Sequence, residues 1–320
     1  MPSEPSPHPE DPLQGRGTSS SGAPEQLGLL LGGKLLCVGC GYNLQGVSIR
    51  GVCPECGLAV RGTILATVDP SADELQPMPA PLLTAAGLIA WSLGAIIGVL
   101  FSWIPRILDV LERVGWGGTR FIRTPEWIGE ATFGAICVSA IGSLALLRPT
   151  RNTKWWGTAL ALVSFAAYAP LAYAVWRIQE VIDPGSAPPY LVGGPQPDRL
   201  MMRAMLNGSL LVILLGLRAN ARVLVERSLA LRTGRVDRQT ILAMALVVVV
   251  AGAGDGLWGW SVFAAPSMQD ILQDSGSVLV AVGSLLFTMG VASGVQDSIR
   301  IARAILSPAP GLRQVLRGSA

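Results

Sequence analysis

Two matched cysteine pairs, Cys37-Val-Gly-Cys40-Gly and Cys53-Pro-Glu-Cys56-Gly, carry the clearest chemistry in this sequence. In each pair a glycine just past the second cysteine allows a tight turn whose backbone N–H groups point at the sulfurs. Four thiolates at this spacing fill a tetrahedral shell around Zn²⁺ and leave no position for a substrate. The 12 residues between the pairs, Gly41 to Val52, have room for one short hairpin and no packed core. The expected ligands are therefore Cys37, Cys40, Cys53 and Cys56, and the expected cofactor is one structural zinc ion. The fifth cysteine, Cys137, lies in an apolar stretch and reads as a small buried hydrophobe.

Other reactive constellations are scarce. His8 is the sole histidine, which removes the commonest general base and the commonest catalytic zinc ligand. No paired carboxylates, His-Glu-x-x-His pattern or matched Ser–Lys pair occurs in the apolar stretches, so an enzyme is not expected. One ionisable residue stands out there: Asp255, within Ala251-Gly-Ala-Gly-Asp255-Gly-Leu-Trp. It has two readings. Either it is a proton or cation site lining a cavity, where flanking glycines let the helix open. Or the span ends near Gly252 and the carboxylate reaches headgroup water beside Trp258 and Trp260. No cationic partner for it is evident in the sequence.

The elements that position these groups follow from composition. The chain of 320 residues is half hydrophobic and only 14% charged, with a mean hydropathy of +0.49. That pattern belongs to a multi-pass membrane protein. Residues 1–26, rich in Pro, Ser, Gly and acids, predict a disordered tail without a cleavable signal. A small β zinc ribbon is expected over 27–66 and a polar linker over 67–81. An all-α bundle of about six transmembrane helices is expected over 82–295, and a basic tail over 296–320. The spans fall at Leu82–Ile104, Gly129–Leu147, Trp155–Trp176, Leu200–Leu217, Thr240–Phe263 and Ser277–Val295. The fourth is the least apolar, with Arg203 near its start, expected to snorkel to the headgroups, and Asn207 inside it. Pro170 predicts a kink in the third. After Pro105, Ile107, Leu108, Leu111 and Val114 recur at helical spacing and predict a short helix on the membrane surface. Beyond the fourth span, Leu217, Ala221, Leu224 and Val225 continue its apolar period.

Lys and Arg divide 17 to 7 between the two sides of this layout. The positive-inside rule places the ribbon and both termini in the cytoplasm, where reduced thiols persist. Gly94-x-x-x-Gly98, Gly252-x-x-x-Gly256 and Gly290-x-x-x-Gly294 predict close helix packing and leave the oligomeric state open.

The run Cys37-Val-Gly-Cys40-Gly-Tyr42-Asn43-Leu44-Gln45-Gly46 followed by Cys53-Pro-Glu-Cys56-Gly resembles the C-x-x-C-G-Y-D-L-R-G … C-P-E-C-G ribbon of uncharacterised, planctomycete-type bacterial membrane proteins. Asn43 and Gln45 replace the usual Asp and Arg, which leaves the ligands unchanged and removes a charge pair. The resemblance covers Cys37 to Gly57 and implies zinc and the bacterial cytoplasmic (inner) membrane; it implies no activity. Rubredoxin has similar knuckles around iron, but much farther apart and around an aromatic core, whereas Tyr42 is the one aromatic here. Between Lys34 and Arg61 there are three basic residues and one acidic, so nucleic acid is not an expected partner. The expected partners are membrane lipid and a cytosolic protein met through the ribbon, acting as a docking or assembly module. The alternative is a small-solute or ion transporter or channel with a regulatory ribbon. A membrane-tethered metal or nucleic-acid-binding module, or a sensor with exchangeable zinc, ranks below both.

Overall fold

The computed structural model describes residues 30–69, 72, 75, 78–113, 127–147, 155–183, 196–231 and 240–306. The expected tail over 1–26 and the end of the chain from 307 lie outside the described residues. So do several basic residues used for orientation, among them Arg148, Arg151, Arg232 and Arg313.

Eight α-helices occur among the described residues. Helix α1 (Val60–Val68) follows the cysteine segment, and α2 spans Pro81–Arg113. Helix α3 covers Trp127–Leu144, and α4 (Trp155–Ala166) is followed by α5 (Tyr168–Trp176). A π-helical segment then runs over Arg177–Ile182. Helices α6 (Pro197–Leu231), α7 (Thr240–Trp260) and α8 (Pro266–Leu306) complete the order. Six spans are long and apolar enough to cross a membrane, with α4, α5 and the π segment together making one of them. This is a multi-pass membrane protein.

Burial follows the logic of a hydrocarbon solvent. The inward positions of α3 are Ile128, Thr132, Ala135, Ser139, Gly142 and Ser143, mostly small or hydroxylic residues. Large apolar side chains such as Leu100, Ile141, Leu246 and Leu285 point outward. Lipid solvates leucine as well as a protein core does, so helix association relies on close backbone approach. Gly94 packs so tightly on α3 that a Cβ there would sit 2.6 Å from the Ser139 nitrogen, and Gly142 lies equally close to Trp91 and Gly87 of α2. Gly254 of α7 and Gly276 of α8 form a second seam, with a Cβ on either 2.7 Å from the other's carbonyl oxygen. Of the expected small-residue pairs, Gly94 and Gly290 meet neighbours; Gly256 and Gly294 face open space.

The spans close into a ring in chain order. Helix α2 packs between α3 and α8, α8 on α7, α7 on α6, α6 on the split α4–α5 span, and that span back on α3. At the end where the chain enters from the cysteine segment, Met78, Leu146, Leu224, Ile301 and Ile305 form one buried cluster. Asn220 stitches it by donating to the carbonyls of Leu146 (2.8 Å) and Leu147 (3.1 Å).

Expectations at Pro105 and in the cysteine segment are corrected, while the kink near Pro170 and the continuation of the fourth span take definite form. The Pro105 segment is no separate surface helix, because α2 continues through Pro105 to Arg113; Val114 lies outside the described residues. The third span breaks at Ala167, between α4 and α5, three residues before Pro170, the residue whose ring denies Ala166 its i+4 donor. The cysteine segment holds only isolated antiparallel bridges, Leu30↔Ser48, Leu36↔Asn43 and Val52↔Ala59, so the small β ribbon is reduced to single pairs and no ladder forms among the described residues. The fourth span runs unbroken from Pro197 through its basic extension to Leu231.

Gly142→Val is expected to destabilise the bundle by about 1–3 kcal/mol through overpacking against α2. Gly256→Ala, in open space, is expected to change stability by no more than about 0.5 kcal/mol. Thermal unfolding of both variants in detergent, monitored by helical circular dichroism, compares them directly.

Candidate metal centre and intramembrane charge cluster

The two cysteine pairs fold as copies of one turn. Gly41 N–H donates to the Cys37 carbonyl (2.8 Å) and Gly57 N–H to the Cys53 carbonyl (2.9 Å). Cys37 N–H returns to the Tyr42 carbonyl (2.8 Å), as Cys53 N–H does to that of Leu58 (2.7 Å). Both turns need a left-handed residue after the second cysteine, and Gly41 (φ 78°) and Gly57 (φ 70°) supply it without steric penalty. The sequence repeat of Cys-x-x-Cys-Gly is thus a repeat of hydrogen bonding.

The turns face each other. Sulfur atoms of Cys37 and Cys56 lie 3.6 Å apart and those of Cys40 and Cys53 3.5 Å, with all four within 4.8 Å of one another. A disulfide needs about 2.05 Å between sulfurs, whereas a tetrahedral shell with metal–sulfur bonds of about 2.3 Å has edges of about 3.8 Å. The spacing fits a shared metal ion. Among the described residues, no other group of His, Cys, Asp and Glu side chains is placed to hold one. Each turn contributes a buried cysteine, Cys37 or Cys53, and an exposed one, Cys40 or Cys56. The remaining cysteine, Cys137 on α3, is half-buried and apart from the cluster.

Leu44 and Val60 pack on Cys37 and Cys53, and the Thr63 hydroxyl lies 3.9 Å from the Cys37 sulfur. Val60 and Thr63 belong to α1, which also lies against α6 and so joins the cysteine segment to the bundle. This helix was not anticipated: its short apolar run beside Gly57 and Gly62 carries no clear period in the sequence. Burial, reinforced by the neighbouring sulfurs, pushes the Cys56 thiol up to about 12 and moves Cys40 in the same direction. For Cys37, burial also acts upward, but the Gly39 and Cys40 amides, the Cys56 thiol and the Thr63 hydroxyl together bring it below its ordinary value. Four sulfurs this close cannot all carry charge without a cation among them, so metal loading must release protons.

Asp255 does not sit at a span end in headgroup water; it borders a small pocket inside the bundle. Helix α7 continues past it to Trp260, and the residue is only 6% exposed. Arg203 of α6 meets it with Nε 2.9 Å from Oδ1, and Asn207, one turn further along α6, donates from Nδ2 to Oδ2 at 2.9 Å. Arg203 therefore turns into the bundle instead of snorkelling to the headgroups. The partners lie 52 and 48 residues from Asp255 in sequence, joined to it only by the packing of α6 on α7. Arg199, one turn earlier on α6, is buried and pairs with Asp183 at 3.1 Å.

No family model, curated protein or solved structure matches the chain.

Purified protein is expected to hold one divalent ion per chain, to release it as pH falls and protons compete for sulfur, and to lose it on Cys53→Ser. Metal content by mass spectrometry across a pH series checks this. Asp255→Ala, which strips Arg203 of a buried counter-charge, is expected to cost about 3–5 kcal/mol of stability. Chemical denaturation in mixed micelles reads that loss.

Proposed function

We propose that this chain is an inner-membrane protein whose cytoplasmic cysteine module, stapled by zinc, serves as a docking or assembly element on a six-helix anchor. The observation that carries the reading is the closed four-sulfur site at the surface of a module already fixed to the bundle. Four thiolates leave a tetrahedral ion no open position, so the chemistry supported is structural. So small a segment lacks the apolar area to fold alone, and the metal supplies the missing free energy.

One side of the module is occupied by α1, whose Val60 and Thr63 cover the buried Cys37 and Cys53. Leu36, Tyr42 and Val52 remain exposed. Leu36 and Val52 precede the first cysteine of each turn, and Tyr42 follows Gly41. All three therefore ride on the metal-closed turns, and their relative placement depends on the ion. A cytosolic protein partner meeting this surface would read the metal-bound state through them.

The pairing of Asp255 with Arg203 and Asn207 weighs against the alternative cation site at that residue. Its charge is balanced within the protein, as an intramembrane carboxylate without a transported ion must be.

Crosslinking and affinity capture from native membranes, with the intact chain beside a Cys53→Ser/Cys56→Ser variant, test the docking role. A cytosolic protein retained at least tenfold better by the intact chain is the expected result. Identical captured sets would remove the module from the interface.

A further inference from the structure

The ring of spans is not packed solid. It encloses a cavity of about 240 Å³ to which all six spans contribute. The lining on α2 runs from Trp91 to Arg106. Fifteen steps at about 1.5 Å rise give a shaft about 22 Å deep. One leaflet of a bilayer core about 30 Å thick is about 15 Å, so the shaft has the reach of a single lipid tail.

Its two ends differ in chemistry. Toward the cysteine module the polar groups are already satisfied by one another: Trp91 Nε1 donates to the Tyr168 hydroxyl (2.9 Å), which also pairs with Ser139 Oγ (3.0 Å). That hydroxyl of Ser139 in turn lies 2.9 Å from the Trp91 carbonyl. The middle of the shaft is apolar, with Val175, Leu210, Val248 and Phe287 on its walls. At the far end Arg106, Arg199 and Arg203 line it, and among the described residues the lining includes no carboxylate. Asp183 pairs with Arg199 and Asp255 with Arg203 from just outside that lining, so two of the three guanidinium groups already have a counter-charge. Asp255 instead lines a small second pocket bordered by Arg199, Arg203 and Trp258. The three guanidinium groups outnumber these two carboxylates, and the excess positive charge at the mouth of an apolar shaft is screened little.

We propose that this cavity binds an amphiphile with one acyl or prenyl chain and an acidic head group, the chain in the shaft and the head against Arg106, Arg199 and Arg203. Guanidinium forks suit carboxylate and phosphate alike. The shared chemistry is therefore an anionic head on a single tail, from a free fatty acid or from a lipid monophosphate. The site is independent of the docking role and of the metal, so Cys53→Ser protein is expected to bind as the parent does.

The test uses the full chain in nanodiscs with three photoreactive probes of equal chain length: a fatty acid, an alkyl phosphate and the corresponding alcohol. At least one acidic probe is expected to label α2 or α6 at least tenfold more strongly than the alcohol. The carboxylate or the phosphate winning identifies the source of the ligand. Arg106→Gln is expected to weaken the favoured acidic probe about tenfold and leave the alcohol unchanged. Gly98 lines the shaft with ordinary clearance, a Cβ there lying 3.7 Å from that of Ala135, so Gly98→Leu is expected to fill it and abolish labelling. The alcohol labelling as well as both acids would overturn the proposal. So would unchanged labelling in Arg106→Gln protein of parental helicity, whether or not the Gly98 variant folds.

Discussion

Backbone proximity is the constraint on which this architecture depends. In hydrocarbon, hiding a leucine yields nothing, and helices cohere only where their main chains approach closely enough for dispersion and polar contacts to add up. Two seams of small residues supply that closeness: Gly87, Gly94 and Gly142 between α2 and α3, and Gly254, Gly276 and Gly283 between α7 and α8. Along each seam a methyl group would displace backbone or a neighbouring methyl. With these pairs drawn tight, the remaining spans complete a ring, and its centre stays open.

The same medium dictates the treatment of charge. An isolated carboxylate or guanidinium in the bilayer is costly, so buried ions occur with counter-ions and hydrogen-bond donors. Asp255, Arg203 and Asn207 meet that requirement across α6 and α7. Asn220 applies it to backbone, satisfying carbonyls where α3 has ended. Outside the membrane the difficulty is reversed. The cysteine module has water for its polar groups but little apolar surface to bury, and the sulfur cluster takes the place of a core.

Features written in local sequence were legible from it. Six apolar stretches near the length of a bilayer core announced six spans, and Cys-x-x-Cys-Gly, twice, announced four convergent sulfurs. Features that depend on distant residues were hidden. Arg203 and Asp255 are 52 positions apart, and nothing in either neighbourhood names the other. The glycine spacings identified some close contacts and misplaced others, because period alone does not tell which face of a helix meets a neighbour. Trp103 depends on a distant residue in the same way: its indole N–H donates to Thr288 Oγ1 at 2.9 Å within the bundle. Local pairing was overestimated in the cysteine segment, where tight turns consume the hydrogen bonds that a strand ladder would need.

The unequal burial of the four sulfurs has a consequence for time as distinct from strength. All four contribute to how tightly an ion is held, but Cys37 and Cys53 are sealed beneath Leu44 and Val60. A chelator, an oxidant or a competing thiol therefore approaches from the side of Cys40 and Cys56. These two belong to different turns, so displacing either sulfur loosens the link between the turns while each turn keeps its own hydrogen bonds. A metal ion held there would exchange through two sulfurs while drawing its affinity from four.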